Sequence, residues 1–443
     1  MSEHGSQGGS SGFGDTAAST DQLSKEDKIR ISNRNKAIND NAPLMKFECR
    51  QITGFNSLHS ITYKFIDGKR LYVAVGTQFT LMYSYDSIQW NRIQWYTGET
   101  FQEIYAVKYI KELDLFVAAG NGIILHSTDP LTEWTSHTNS GDVVFSGIEF
   151  FGIEYEPIKK RIWFVGKNNT ILYSNDCIIF KILTYKFTDK DGKPDFLRYI
   201  LYVPEDNKLV ITGDFCTIAY IDLSASELTV IRVPIDESII SEWNTECLKI
   251  EQYLNKTNKD FNTAKIQQIV FNPDKHLYVA VGNFNACYYT HHLIKDKTVW
   301  KVSYFDDLDR GVALQAIKYD RKNKTYVCGG WNGYFAITKD VEIGWKRCST
   351  QFYKPEDNIA LHTQFIAHYT DIGFVFICDN YIVHAREYSK TKNNKTLSEY
   401  VFPIGYIEKT IIRHNLPNEY LGFGEWEEDF DENTRIYSYT RLK

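Results

Sequence analysis

Proline is scarce in this chain of 443 residues: 10 Pro stand against 30 Tyr and 27 Phe. That balance excludes a proline-rich disordered or collagenous polypeptide and favours β-strands. Paired cysteines are missing too. The eight Cys stand singly at positions 49, 177, 216, 247, 287, 328, 348 and 378, with no C-x-x-C pair. This argues against a zinc ribbon or a disulfide framework. Cys287, Cys328 and Cys378 fall on expected strands, where a thiol acts as a small buried hydrophobe. No apolar run approaches the length needed to cross a bilayer. The start Met-Ser-Glu-His-Gly-Ser has neither the basic nor the apolar region of a signal peptide, so folding in a reducing cytosol is expected. A formal charge of −6 is modest for this length and argues against a general nucleic-acid-binding surface. No P-loop, dinucleotide fingerprint, G-x-S-x-G or H-E-x-x-H occurs. No cofactor or metal is therefore expected.

What is present is a repeat. Leu71-Tyr72-Val73-Ala74-Val75-Gly76 is followed by Tyr83-Ser84-Tyr85-Asp86 and Trp90. Leu115 to Gly120 precedes Ser127-Thr128-Asp129 and Trp134, and Ile162 to Gly166 precedes Ser174-Asn175-Asp176 and Phe180. Gly-ended or equivalent strands begin at Leu71, Leu115, Ile162, Leu209, Leu277, Thr325, Gly373 and Glu419. Their spacing is 44 to 48 residues except for one step of 68, from Leu209 to Leu277. Such a period, with about four strands in each unit, is the signature of a β-propeller. Ahead of each Gly-ended strand lies a candidate innermost strand with a β-branched residue at one position: Ile61, Val107, Ile153, Ile200, Ile269, Ile317, Ile366 and Ile411. Branched side chains suit strands packed between neighbouring sheets. The expectation is an all-β chain forming a single β-propeller over residues 43–443, eight-bladed, with seven blades as the alternative.

The last repeat stops at its third strand, Arg435-Ile436-Tyr437-Ser438-Tyr439. Met45 to Ile52 has strand character and no other evident partner, so this N-terminal strand is expected to join the last blade and close the ring. Residues 1–42 form a Gly/Ser-rich, then charged, arm that is expected to be flexible; its charged part could form a short helix, but only against a partner. Residues 234–263 carry the extra length of the long step. There Ile240, Trp243, Cys247, Ile250 and Leu254 recur at helical spacing, which predicts one helical insertion. Asp236 or Ser238 is its candidate cap.

Ser84-x-Asp86, Ser127-x-Asp129, Ser174-x-Asp176 and Thr338-x-Asp340, each followed by an aromatic (Trp90, Trp134, Phe180, Trp345), resemble the Asp-box of the BNR family. The Gly that usually follows the Asp is missing in all four. In that family the motif is a turn between the third and fourth strands, so these residues are expected to staple hairpins rather than to bind or catalyse. Sialidases share the box. That resemblance would imply a central arginine triad, a Tyr–Glu nucleophile pair and an acidic acid/base. The inner strands offer Lys64, Lys108, Arg198, Lys318 and Arg413 instead, not arranged as a triad, so glycoside chemistry is disfavoured. The run Glu425 to Glu432 is expected to be a solvated loop between second and third strands, with Ca²⁺ or a basic partner as the alternative. His291 and His292 are adjacent and would face opposite sides of a strand.

The repeats also resemble propellers of bacteriophage virion proteins, especially tail and adsorption components; bacterial surface proteins and the photosystem assembly factor family carry similar units. The resemblance implies a non-enzymatic structural virion protein that docks neighbouring tail or portal-vertex subunits through its N-terminal arm, loops and inserted helix. Its setting would be the virion, and the host cytoplasm during assembly. The alternative is an adhesin or receptor-binding propeller reading a host-surface glycan or protein. Candidate partner-binding residues are Ile240, Trp243, Ile250, Leu254 and Trp331. Neither nucleic-acid binding nor membrane insertion is expected.

Overall fold

The computed structural model describes residues 24–52, 57–66, 68–94, 102–141, 143–183, 185, 195–242, 265–283, 286–306, 313–331, 333–348, 361–369, 372–387, 407–410, 426–431 and 436–441. Among these residues the chain folds into seven four-stranded antiparallel sheets. Their innermost strands are Leu58–Ile66, Ile104–Ile110, Phe150–Glu156, Leu197–Val203, Ile266–Asn272, Leu314–Asp320 and Thr363–Tyr369, which define blades 1 to 7. Each is followed by its second strand, the Gly-ended strand of the sequence repeat (in blade 7, Gly373–Cys378). In blades 1 to 6 the fourth strand is only two or three residues long, from Asn91–Arg92 to Lys346–Arg347. Such short outer edges offer little template for pairing with another chain.

Seven apolar cores hold the ring together, one between each pair of neighbouring blades. Val73, Val75, Phe116 and Ala118 join blades 1 and 2. Ile61, Ala74, Val375 and Ile377 join blades 7 and 1, which makes the array circular. The β-branched inward positions Ile61, Val107, Ile153, Ile200, Ile269, Ile317 and Ile366 are all buried, as their recurrence predicts. Main-chain amides of one innermost strand also bond to side chains of the preceding blade. Val107 N donates to Ser60 Oγ at 3.3 Å, Tyr109 N to Thr62 Oγ1 at 3.0 Å, and Ile317 N to Gln268 Oε1 at 2.7 Å.

The ring is thus seven-bladed, not eight-bladed. Blade 7 takes its outer strand from Met45–Gln51, which pairs with Tyr381–Glu387 over all seven residues, Met45 opposite Glu387 and Gln51 opposite Tyr381. The blade is complete at that point and packs on blade 1, which leaves no gap for a further sheet. The expected partner of the N-terminal strand, around Arg435 to Tyr439, is replaced by a strand about fifty residues earlier. The eighth repeat lies elsewhere. Ile436–Arg441 sits between Ile407–Thr410 and Trp426–Asp431 in a separate three-stranded sheet. Strands two and three of that sheet are sequential, but its first strand adds to the third rather than to the second, unlike any blade. Ile411 and Glu419 to Gly424 lie outside the described residues. The acidic run expected as a loop is largely strand Trp426–Asp431.

The charged part of the N-terminal arm forms the short helix left open for it, but against this chain's own ring rather than another subunit. Residues 1–23 lie outside the described residues, but Lys25–Asn41 is an α-helix capped by Ser24, whose hydroxyl accepts from Asp27 N at 3.0 Å. The helix seats on this chain's own blades 5 and 6. Ile38 is 1% exposed, and Asn35 Nδ2 donates to Asp306 O at 3.0 Å. The Arg34 guanidinium lies 4.9 Å from the Tyr304 ring centre. Gly344 is what admits Ile38: a Cβ there would lie 2.9 Å from Ile38 Cδ1. In the insertion, residues 237–242 are helical, with Ile239 and Ile240 amides bonded to Asp236 O.

Candidate functional site

The repeated glycine of the second strands has a structural cause. Six of these glycines (76, 120, 166, 213, 282 and 330) pair with the first residue of the innermost strand. A Cβ at Gly166 would lie 2.1 Å from Glu149 O, and one at Gly120 would lie 2.0 Å from Glu103 O. The backbone approaches that closely because the innermost strand slips register there by one residue. The slip occurs at the same place in all seven blades, blade 7 using Cys378 in place of Gly. Such bulges re-aim side chains. The extra residues are His59, Tyr105, Phe151, Arg198, Gln267, Gln315 and Gln364. All seven are half-buried and line one axial cavity of about 990 Å³.

This ring of side chains has two unlike halves. Across blades 1 to 4, His59 and Tyr105 have ring centres 5.3 Å apart, and Tyr105 and Phe151 5.0 Å apart. The Arg198 guanidinium lies 4.9 Å from the centre of Phe151. Four side chains from four blades thus form a continuous stacked run. Blades 5, 6 and 7 contribute Gln267, Gln315 and Gln364, three amides able both to donate and to accept. Burial lowers the pKa of His59 against the charges of Glu103 and Asp379. Burial, then a hydrogen bond to Glu103, raises that of Tyr105. Both side chains are therefore neutral near pH 7.

Charge inside the cavity is mostly matched. Arg198 donates to Asp214 through Nε at 2.8 Å and Nη2 at 3.1 Å, a bidentate pair. Lys108 is paired with Glu154, which also accepts from Tyr155 N at 2.8 Å. Burial opposes the Lys108 charge, but the Glu154 carboxylate outweighs it and holds the ammonium above its usual range. Glu154 is the one carboxylate among the described lining residues. Lys64 bonds Asp114 at the opposite end of the blades. Arg413 lies outside the described residues.

The four Ser/Thr-x-Asp turns sit away from this cavity. Asp86 Oδ1 accepts from the amides of Ile88 and Gln89, each at 2.8 Å, and Asp176 Oδ1 from Ile178 at 2.8 Å and Ile179 at 2.9 Å. Ser84 and Ser174 hydroxyls bond those carboxylates at 2.9 and 3.0 Å. Asp340 accepts from Glu342 N at 3.0 Å, while its own amide donates to Thr338. In blade 2, Asp129 accepts from Leu131 N at 3.2 Å, and Ser127 Oγ is buried with no hydrogen bond. Trp134, Phe180 and Trp345 are buried; Trp90 is half-buried.

Of the candidate partner-binding residues, Ile240 is buried in the core between blades 4 and 5 and presents no docking surface. Trp243, Ile250 and Leu254 lie outside the described residues. Trp331 is 49% exposed, with its ring centre 5.7 Å from that of His362. Its amide donates to Ala313 O, which places it on the rim at the bulged end of the cavity. Sequence reasoning missed the bulge ring because its residues vary from blade to blade; the glycine beside six of the seven bulges was the available signal. Among the described residues no three His, Cys, Asp or Glu side chains cluster to hold a metal, and no helix is long and apolar enough to cross a membrane.

The fold is that of a seven-bladed β-propeller. No family model matches the chain, and no curated protein matches it by sequence. Among solved structures it is similar to YCF48 bound to D1 peptide, with 13% identity and a TM-score of 0.52 over 76% of this chain and 96% of that one. YCF48 from Cyanidioschyzon merolae gives 10% identity and 0.53, covering 78% and 100%. The extracellular domain of a hybrid two-component system from B. thetaiotaomicron gives 8% identity and 0.54, covering 79% of this chain and 40% of that one. At these identities the likeness concerns the fold alone.

Proposed function

We propose that this propeller is a non-enzymatic docking scaffold that holds a segment of a partner protein at its axial mouth. The observation that carries this reading is the ring of bulged residues, with a stacked aromatic and guanidinium run facing three glutamines. Aromatic faces take up apolar side chains, and carboxamides satisfy both the N–H and the C=O groups of an extended main chain. A neighbour of the same fold was solved with a peptide bound, which is consistent with a peptide as ligand. Among the described residues the cavity has one lining carboxylate, already committed to a lysine, which is poor equipment for glycoside hydrolysis, a reaction that needs two.

The setting we infer is a bacteriophage virion, on the resemblance of the repeats, with neighbouring tail or portal-vertex subunits as partners. In this reading the strand Met45–Gln51 latches the ring, and residues before Ser24 reach a neighbouring subunit. Quantitative mass spectrometry of purified particles tests the setting: a fixed copy number supports it, and absence of the protein refutes it. A glycan-binding adhesin is the second reading, favoured by exposed Trp331 beside His362 on the mouth rim. Binding on a glycan array that is lost in Trp331→Ala, with no binding to peptides, would replace the first reading with this one.

A further inference from the structure

Lys318 is the half-buried exception to the charge matching of the cavity; Lys111, the other lining cation without a carboxylate partner among the described residues, is exposed to solvent. It lies on the innermost strand of blade 6, three residues after the bulged Gln315, and is half-buried. Its ammonium reaches only the Tyr199 hydroxyl, at 3.5 Å, and no carboxylate lies within ion-pair distance among the described residues. Its other neighbours are aromatic faces: the Tyr199 ring centre at 5.9 Å and that of Phe365 at 5.6 Å. The other cations near it on the cavity wall, Lys108 and Arg198, are neutralised by Glu154 and Asp214. A partly desolvated ammonium with aromatic walls and no counter-charge favours an incoming anion. Gln267, Gln315 and Gln364, from blades 5, 6 and 7, centre on the same blade and would flank that anion.

We propose that Lys318 is an anion subsite of the axial cavity, and that the bound segment places an Asp or Glu carboxylate against it. The proposal rests on the peptide-docking reading and adds the chemistry of the anchor. The carboxylate would accept from the Lys318 ammonium and the Tyr199 hydroxyl. The flanking glutamines would bond the ligand main chain on either side. Glu154 would repel a carboxylate on the opposite wall, but Lys108 offsets that charge.

The test uses the full chain and a positional-scanning library of terminally blocked nonapeptides, with one residue type fixed at the central position of each sub-library. Fluorescence anisotropy should show the Asp and Glu sub-libraries binding at least tenfold tighter than their Asn and Gln counterparts. Lys318→Gln should abolish that difference while retaining the weaker binding of the neutral sub-libraries. Lys318→Arg should preserve it. Raising the salt concentration should narrow the difference in the wild type and in Lys318→Arg, and change nothing in Lys318→Gln. If peptides bind with no preference for an acid, or the preference survives in Lys318→Gln, the anion subsite is overturned while peptide docking stands. If no sub-library binds, the docking reading fails and the subsite fails with it. A matched circular-dichroism melt separates loss of binding from loss of fold.

Discussion

Replacing Asp195 with asparagine should stabilise the protein at alkaline pH and have little effect at pH 4. Asp195 is fully buried immediately before the innermost strand of blade 4, close behind the Arg198–Asp214 pair of the mouth. Its main chain is fixed against Asn169: its carbonyl accepts from Asn169 N at 2.9 Å, and its amide donates to Asn169 Oδ1 at 3.3 Å. Neither carboxyl oxygen has a well-formed hydrogen bond. Burial, reinforced by the charge of Asp214 and relieved only in part by Thr217, the Phe196 amide and Arg232, pushes this carboxyl up to about 7.

A group that titrates higher in the folded chain than in the unfolded chain keeps its proton longer on folding. Between about pH 4 and pH 7 the native state therefore binds the extra proton, and stability falls as pH rises through that window. The gap between an ordinary aspartate and about 7 corresponds to about 4 kcal/mol when fully expressed above pH 7. Asparagine keeps the shape of the protonated acid and removes the titration. Denaturant unfolding at pH 4.5, 6, 7 and 8 should show the two proteins nearly equal at the lowest pH. The variant should then lead progressively, by up to about 4 kcal/mol at pH 8. A difference constant across all four conditions would refute the reasoning, as would a variant less stable than the wild type at pH 8.

Other substitutions probe the frame. Deleting residues 44–52 should lower the melting temperature of the whole ring, because Met45 and Phe47 pack in the core between blades 6 and 7 and contribute about 3 kcal/mol by burial alone; an unchanged melt would show that the strand is not a latch. Gly166→Ala forces a Cβ against Glu149 O and should cost about 1–3 kcal/mol, measured by urea unfolding, whereas Gly68→Ala meets no atom within 4 Å but carries a φ of +78° and should cost less. Asp176→Ala removes the acceptor for two turn amides and should cost about 1–2 kcal/mol, with faster amide exchange at Ile178 and Ile179 seen by NMR.

The inner and second strands could be read from the chain because each repeats a local pattern: a β-branched residue buried between blades, and a glycine against a carbonyl. Blade number could not be read the same way. The spacing continues through Glu419, but the ring closes where Tyr381–Glu387 finds an edge partner, and that partner lies more than three hundred residues earlier at Met45–Gln51. Strand character marks Met45 to Ile52 as a strand without specifying which edge it joins. The sequence allowed a helix within Lys25–Asn41 only against a partner, and its charge hid what that partner is. Only Ile38 is buried, and its seat is a glycine three hundred residues away. The mouth was hidden for a different reason. A position occupied by His, Tyr, Phe, Arg and three Gln has no recurring chemistry, and only the slip in register makes these seven residues neighbours.

The most direct measurement of the docking account is a peptide array probed with the full-length protein and two variants. One variant, Gln315→Ala with Gln364→Ala, alters the mouth; the other, Ile158→Ser, alters an exposed residue in the Glu156–Arg161 turn. The account predicts peptides bound by the wild type and by Ile158→Ser, and lost or weakened at least tenfold in the mouth variant. Binding that is indifferent to the mouth substitutions and sensitive to Ile158→Ser would contradict it.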